Sequence, residues 1–305
     1  MGFVMEPLYY AVSAILLGWH WLFMQLGVMS DGWIWVSAIA GLTVTIRALL
    51  IPLFVKQIKS SRNMQLLQPQ IKELQKKYGH DRQKLAEEQM KLWKDTGTNP
   101  FASCLPLLLQ MPIFFALFNV INNAAKGKAL GMLDAADAAS LKDAVFLGGR
   151  IADTFINSAH LETKLIAMVM VVAMCVTQFV TQRQLMSKNM PPDALTGPYA
   201  QQQKILLYIL PVVFAVSGVA FPIGVLIYWT VSNLWTMAQQ FYVIRRNPAP
   251  GTPAFHAKQL RDAKHGRVVQ EDPLEELEHP HPQPPARQQP RNQSRNQRKK
   301  KGGKP

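Results

Sequence analysis

The sequence is poor in the residues from which catalytic and metal sites are built. Its two cysteines, Cys104 and Cys175, both fall in apolar stretches. Two such thiols make neither a disulfide framework nor a metal-ligand pattern. The long apolar stretches contain no acidic residue, and glycine-rich phosphate loops are missing. The sequence therefore predicts no enzyme active site, no cofactor and no bound metal.

Basic residues are absent from the first part of the chain, because no Lys or Arg precedes Arg47. A secretory signal peptide begins with a basic segment, whereas this one carries Glu6, so a cleaved leader is not expected. The aromatic cluster around Trp19 is typical of a helix that lies in the membrane interface. We predict an N-terminal interfacial helix on the outer side within residues 1–32. A true membrane span over residues 9–28 remains the alternative.

Long apolar blocks dominate the rest of the chain. It has 305 residues, of which 49% are hydrophobic, and a net charge of +14, with the charges between and after the apolar blocks. Roughly 20 apolar residues cross a bilayer as a helix. We therefore predict an all-α membrane protein with five transmembrane helices. These are TM1 (33–55), TM2 (101–121), TM3 (163–182), TM4 (204–219) and TM5 (221–243).

The charges of the connecting segments predict the orientation. Residues 56–98 carry ten Lys and Arg against five acids, with apolar residues at three- and four-residue spacings and a break at Tyr78–Asp81. This pattern predicts a helical hairpin, and its basic excess places it in the cytoplasm. The loop 122–162 has balanced charge and is predicted to be outside, which leaves the loop 183–203 inside.

The C-terminal segment 244–305 is predicted to be a disordered basic tail in the cytoplasm. From residue 245 onward it carries fourteen Lys and Arg against six acids, a net charge of +8, and it has few apolar residues. Such a composition does not support a packed core. A basic arm of this kind binds RNA or anionic lipid, or merely marks the cytoplasmic side. The predicted location of the whole chain is a bacterial cell membrane, crossed several times.

Arg47 is a cation inside the first predicted span. A charge at this depth costs about 2.5–3.5 kcal/mol on the insertion scale, so it indicates a functional site. No acid in any span neutralises it. Its partner is then water or a visiting anion, in a water-filled cavity within the membrane. The alternative is that the side chain snorkels or bonds to carbonyls freed by Pro106 and Pro112.

Several separated motifs in this sequence resemble the YidC/Oxa membrane-insertase family. They are IRALLIPLFVKQIKSSRNMQLLQPQIKELQKKY, TNPFASCLPLLLQMPIFFALFNVI, FVTQRQLMS and FPIGVLIYWTVSNLWTMAQQF, and the resemblance covers about residues 5–245. It implies five transmembrane helices around a hydrophilic groove that opens to the cytoplasm and the lipid. The pattern is similar to Gram-positive-type members, which lack the large outer domain.

The resemblance also implies the residues of the groove. Arg47 lies in the motif I-R-x-L-x-x-P-L, Gln110 in L-x-x-Q-M-P and Trp229 in L-x-Y-W. The further candidates for the substrate-binding groove are Thr45, Gln178 and Tyr228.

The function implied is that of a membrane protein insertase and chaperone for nascent membrane proteins, working alone or with the Sec translocon. The expected partners are these clients, the lipid bilayer and, through the basic tail, the ribosome; DNA is not expected. The alternative is a small anion transporter or channel with Arg47 as its substrate site. A protein that tethers RNA or ribosomes through its tail is a third hypothesis, but it leaves Arg47 unexplained.

Overall fold

The fold was obtained as a computed structural model, which describes residues 2–27, 29–98, 105–191 and 197–273. The beginning of predicted TM2, residues 192–196 of the predicted inner loop and most of the predicted tail lie outside the described residues. The described ranges contain eleven helices and one pair of short strands. The helices are α1 (Gly2–Gln25), α2 (Asp31–Leu49), α3 (Ile51–Leu66), α4 (Gln68–Tyr78), α5 (Arg82–Asp95), α6 (Leu105–Ala125), α7 (Ala135–Asp143), α8 (Leu161–Asn189), α9 (Gly197–Gly218), α10 (Ile223–Arg246) and α11 (Pro253–Lys264). The strands are β1 (Val145–Phe146) and β2 (Gly149–Arg150).

Predicted TM1 is divided between two helices. α2 ends at Leu49 and α3 begins at Ile51, although the amide of Leu50 still donates to the carbonyl of Ile46 and that of Phe54 to Leu50. Pro52 explains the division, because proline has no N–H and its ring disfavours a helical carbonyl four residues earlier. Residues 33–55, predicted as one helix, thus belong to two helices.

The predicted hairpin is built from α4 and α5. Pro69 stands in the first turn of α4, where a missing N–H is tolerated, and separates this arm from α3. Asp81 caps α5, its carboxylate accepting from the amides of Gln83 at 3.1 Å and Lys84 at 3.0 Å. Pro69 thus marks the beginning of the first arm, and Asp81 marks the beginning of the second.

The predicted outer loop contains regular structure that the sequence analysis did not foresee. α7 is followed by the antiparallel pair β1–β2, with Val145 opposite Arg150. Leu147 and Gly148 form the turn with positive φ angles of 52° and 90°, as a two-residue hairpin turn requires. β1 packs so closely on the start of α2 that a side chain at Gly32 would overlap the carbonyl of Val145.

The core lies where α2, α6 and α10 meet. Its largest fully buried side chains include Trp35, Ile39, Leu117, Ile121 and Leu226. Gly224 lets α10 approach the other two helices, because a Cβ there would lie 3.0 Å from Ile121 and 3.2 Å from Ile39. The helices are therefore held together tightly at the end where α10 begins.

α1 packs on the outside of this core. Val12 and Leu16 are buried, the Ser13 hydroxyl accepts from the amide of Met132 at 2.8 Å, and the ring of His20 lies 4.0 Å from that of Trp35. Both halves of α1 thus contact the segments near the predicted outer loop, an arrangement that suits an interfacial helix. Its length and composition also suit a span, so the interfacial placement stays a prediction.

Helices that are long and apolar enough to cross a membrane occur three times in the described ranges. They are Met5–Gln25, Asp31–Leu49 and Leu161–Asn189. A shorter apolar helix covers Gln203–Gly218. At 1.5 Å per residue α8 is about 43 Å long, which exceeds a hydrocarbon core of about 30 Å. α8 therefore extends beyond the predicted limits of TM3, residues 163–182.

The prediction that the whole segment 244–305 is disordered is wrong for its first part. Residues 253–264 form α11, which packs against α8 and α10. Thr252 caps it by accepting from the amide of Phe255 at 3.2 Å, and Phe255 is buried. The Asn189 side chain accepts from the amide of Ala249 at 2.8 Å. The buried Ala254 and Phe255, the cap at Thr252 and the hydrogen bond of Asn189 thus contribute to the order of a segment of polar composition.

Candidate functional site

Arg47 meets a neutral partner on α10. Its Nε donates to the hydroxyl of Ser232 at 3.1 Å, and its Nη2 also donates to that oxygen. Its guanidinium carbon lies 5.8 Å from the centre of the Phe54 ring. Ser232 itself is buried. A side-chain hydroxyl is therefore the acceptor for Arg47 among the described residues, and the alternative of carbonyls freed by the prolines stays a prediction.

The positive charge of Arg47 is not neutralised by any part of the chain that the structure describes. No ion pair joins it to a described acid, and its Nη1 has no acceptor there. A guanidinium has five N–H donors, so one hydroxyl leaves capacity for another acceptor. Arg47 is sixteen residues from Asp31 along α2, or about 24 Å. The charge thus sits far from the end where α2 begins.

Tyr228 and Gln110 form the second contact of the site. The amide nitrogen of Gln110 donates to the Tyr228 hydroxyl. Tyr228 is buried and lies one helical turn before Ser232, so both face the same side of α10. The structure therefore brings α2, α6 and α10 together through the polar side chains of Arg47, Gln110, Tyr228 and Ser232, which we call the polar cluster.

Ser232 belongs to the site although it is not among the candidates predicted from the sequence. The helical spacing of Tyr228 and Ser232 was the signal that placed both on one face. Asn233 follows it and is also buried, with its amide 3.4 Å from the carbonyl of Met174 on α8.

The two remaining candidates are Gln178, which lies on α8, and Trp229, which follows Tyr228 on α10. Gln178 is half-buried on α8, one turn beyond Met174, and forms no hydrogen bond with the residues described. Trp229 packs in an aromatic group, with ring centres 4.6 Å from Phe214 and 5.1 Å from Phe114. Phe114 follows Gln110 by one turn of α6, so Trp229 borders the cluster through that helix.

Thr45 is not brought together with the polar cluster. Its hydroxyl accepts from the indole of Trp19 at 2.9 Å and donates to the carbonyl of Gly41 at 2.8 Å. Thr45 stands two residues before Arg47, so the two side chains point to opposite sides of α2. The side that carries Thr45 faces α1. Thr45 therefore joins α1 to α2 and does not line the same surface as Arg47.

The sequence that carries this site matches a known family. A family model described as the 60 kDa inner membrane protein matches residues 27–250, which include α2 through α10 and every residue of the polar cluster. The chain belongs to this family. The prediction of an all-α membrane protein is confirmed by that membership and by the helices; the count of five spans and the groove stay predictions.

Relatives in this family carry the name membrane protein insertase YidC. One from Streptomyces avermitilis is 45% identical over 263 residues, covering 83% of this chain and 61% of the relative. One from Tropheryma whipplei is 34% identical over 275 residues, covering 85% of this chain and 89% of the relative. A crystal structure of an active YidC insertase with its first transmembrane domain resolved is 29% identical, with a TM-score of 0.48, covering 75% of this chain and 46% of that one. The chain thus spans about three fifths of the Streptomyces relative, and the resemblance to the YidC/Oxa family is confirmed.

Proposed function

We propose that this protein inserts nascent membrane proteins into the bilayer and assists their folding. The observation that carries the proposal is the polar cluster, where Arg47 keeps a positive charge and, among the residues that the structure describes, bonds only to the neutral Ser232. The name of the relatives supports it, because each is a membrane protein insertase. An uncompensated cation within a span favours a transient anionic or polar visitor.

The mechanism follows from the cost of moving polar chain through lipid. Unpaired backbone and charged groups are expensive in hydrocarbon, so a hydrated groove that reaches part of the way shortens the dry distance. Arg47 then acts as a temporary counter-charge for an acidic client segment, while Gln110 and Tyr228 supply exchangeable hydrogen bonds. The apolar helix of the client leaves sideways into lipid, driven by partitioning, so no nucleotide is needed.

The orientation and the partners are part of the proposal. The hairpin of α4 and α5 and the C-terminal segment face the cytoplasm, as their basic excess indicates. The cleft between the arms is lined by charges of both signs, among them Glu73, Lys77, Glu88 and Lys91, which suits contact with polar client segments. The Sec translocon and the ribosome are the proposed assembly partners, the latter through the basic residues beyond α11.

Site-specific photocrosslinking tests this proposal. A photoreactive amino acid at Gln110 is expected to form adducts with a ribosome-bound nascent membrane protein, because Gln110 belongs to the polar cluster. The matched control is the same probe at Thr45, which is half-buried like Gln110 but faces α1. Equal adducts at both positions, or none at Gln110, contradict the proposal. Absence of adducts together with uptake of small anions into vesicles favours the transporter.

A further inference from the structure

A cleft of about 300 Å³ opens at the end of the molecule opposite the polar cluster. Three segments enclose it: the last turns of α6, the segment after β2, and the turn between α9 and α10. Its polar side chains are Asn122, Lys126, Asp153, Thr154 and Asn157, and its apolar lining includes Phe118 and Pro222. Small-molecule pockets have volumes of about 300–1,000 Å³, so this one suits a compact group.

Four of the five polar side chains of this end cleft, all except Thr154, form no hydrogen bond through their side chains in the described part of the chain. Neither the Lys126 ammonium nor the Asp153 carboxylate forms a hydrogen bond or ion pair there. They also do not reach each other within 4.0 Å, although both line the same cleft. The cleft therefore presents separate positive and negative groups whose charges cancel, which suits a ligand that carries both signs.

The backbone holds these groups in place. The amide of Ile223 donates to the carbonyl of Asp153 at 3.0 Å, and Thr154 forms an isolated bridge with Pro222. The Thr154 hydroxyl accepts from the amide of Asn157 at 3.0 Å. The segment that carries Asp153 and Asn157 is thus tied to the start of α10, which keeps the Asp153 backbone at the cleft.

The cleft lies where lipid headgroups are expected. The 21 residues of α6 span about 31 Å, close to the thickness of the hydrocarbon core, and Lys126 follows its last residue. Below the cleft an aromatic surface continues along α6, with the rings of Phe118 and Phe221 5.8 Å apart and those of Phe114 and Phe221 5.7 Å apart. Phe115 beside them is exposed. An acyl chain that leaves the cleft meets this surface.

We propose that the end cleft binds the headgroup of a phosphoethanolamine lipid. Lys126 and Asn122 take the phosphate, since a lysine ammonium binds phosphate as a point charge. Asp153 and the Asn157 carbonyl oxygen accept hydrogen bonds from the primary ammonium. A choline headgroup has no N–H donor and is recognised through aromatic faces, so a carboxylate selects ethanolamine over choline. A glycerol headgroup leaves Asp153 unpaired beside the phosphate.

Native mass spectrometry of the full chain tests this site. The delipidated protein is mixed with phosphatidylethanolamine, phosphatidylcholine or phosphatidylglycerol of equal chain length, and the fraction that retains one lipid is measured. Retention of the ethanolamine lipid is expected to exceed that of the other two about tenfold, the ratio typical of one charge-assisted hydrogen bond. Asp153→Asn is expected to abolish this preference, and Lys126→Gln to weaken retention of all three lipids.

Two exposed residues of the same loop provide matched controls. Asp143→Asn and Lys128→Gln make the same chemical changes outside the cleft and are expected to leave retention unchanged. Equal retention of the three lipids by the unmodified chain, or a preference for phosphatidylglycerol, overturns the proposal. So does an Asp153→Asn protein that keeps the preference. If Asp153→Asn does not fold, as judged by its thermal unfolding, the exposed Lys126 still decides the matter through Lys126→Gln.

Discussion

The same three helices, α2, α6 and α10, are packed in opposite ways at their two ends. Where α10 begins, the facing side chains are Ile39, Ile121 and Leu226, all with no exposed surface. One to two turns further along α10, the facing groups are the hydroxyls of Tyr228 and Ser232. The first end, which we call the dry end, is close-packed by apolar side chains. The second end, which we call the polar end, is joined by hydrogen bonds between polar side chains.

Near the polar cluster, apolar side chains point away from the protein, with Leu49 70% and Leu108 62% exposed. When two packed apolar side chains separate, their van der Waals contacts are lost and nothing replaces them. When a hydrogen bond breaks, water or a client can take the place of the lost partner with little change in free energy. The comparison indicates that the dry end holds the helices together, and we propose the polar end as the place where a client enters.

The largest expected effect is on the dry end. Leu226→Ala removes a fully buried side chain and leaves a cavity, so the free energy of unfolding is expected to fall by about 2–5 kcal/mol. Leu234→Ala, on the same helix but 45% exposed, is the matched control and is expected to have a much smaller effect. Chemical unfolding in detergent micelles measures both. Equal losses would mean that the two ends do not differ in packing.

The polar end is tested through its charge. Arg47→Ala is expected to reduce insertion of a client with an acidic leader about tenfold in reconstituted vesicles, because the counter-charge is lost. Arg47→Lys keeps the charge and is expected to preserve most of the activity, although it loses the fork geometry. A client with a neutral leader is the control. If the Arg47→Ala protein inserts the acidic client as well as the unmodified protein does, Arg47 does not act as a counter-charge.

A smaller effect is expected from the second contact of the polar cluster. Tyr228→Phe removes the hydroxyl that accepts from Gln110 and is expected to lower the free energy of unfolding by about 1 kcal/mol. Gln110→Leu is expected to cost a similar amount. The double variant is then expected to cost less than the two single changes together, since they remove one shared bond. Strict additivity in chemical unfolding would show that this bond is not formed.

The smallest effect concerns the attachment of α1. Trp19→Phe removes the hydrogen bond to Thr45 while keeping an aromatic ring, at an expected cost of about 0.5–1.5 kcal/mol in thermal unfolding. Trp21→Phe is the control, since Trp21 is 59% exposed and makes no hydrogen bond to the residues described. Equal changes in both would indicate that the indole of Trp19 does not join α1 to α2.

Much of the helical architecture could be predicted, because long apolar runs and prolines determine the helices of the segment in which they stand. Pro69 separates the first hairpin arm from the preceding helix, and the turn lies at Tyr78–Asp81, where the sequence predicts a break. Pro52 carried the same information but was overlooked inside an apolar run. The helix α11 was missed because a few buried side chains, among them Ala254 and Phe255, stand in a polar segment whose composition average conceals them.

The sequence by itself determined the helical class, the family resemblance and the anomaly of Arg47, because span length and the position of a charge are local properties of the chain. Only the tertiary structure decided which groups Arg47 meets. It supplied Ser232, 185 residues away, and turned Thr45 toward Trp19 instead. Helix rotation and packing set such long-range contacts, and they depend on how Gly224 and its apolar neighbours fit together at the other end.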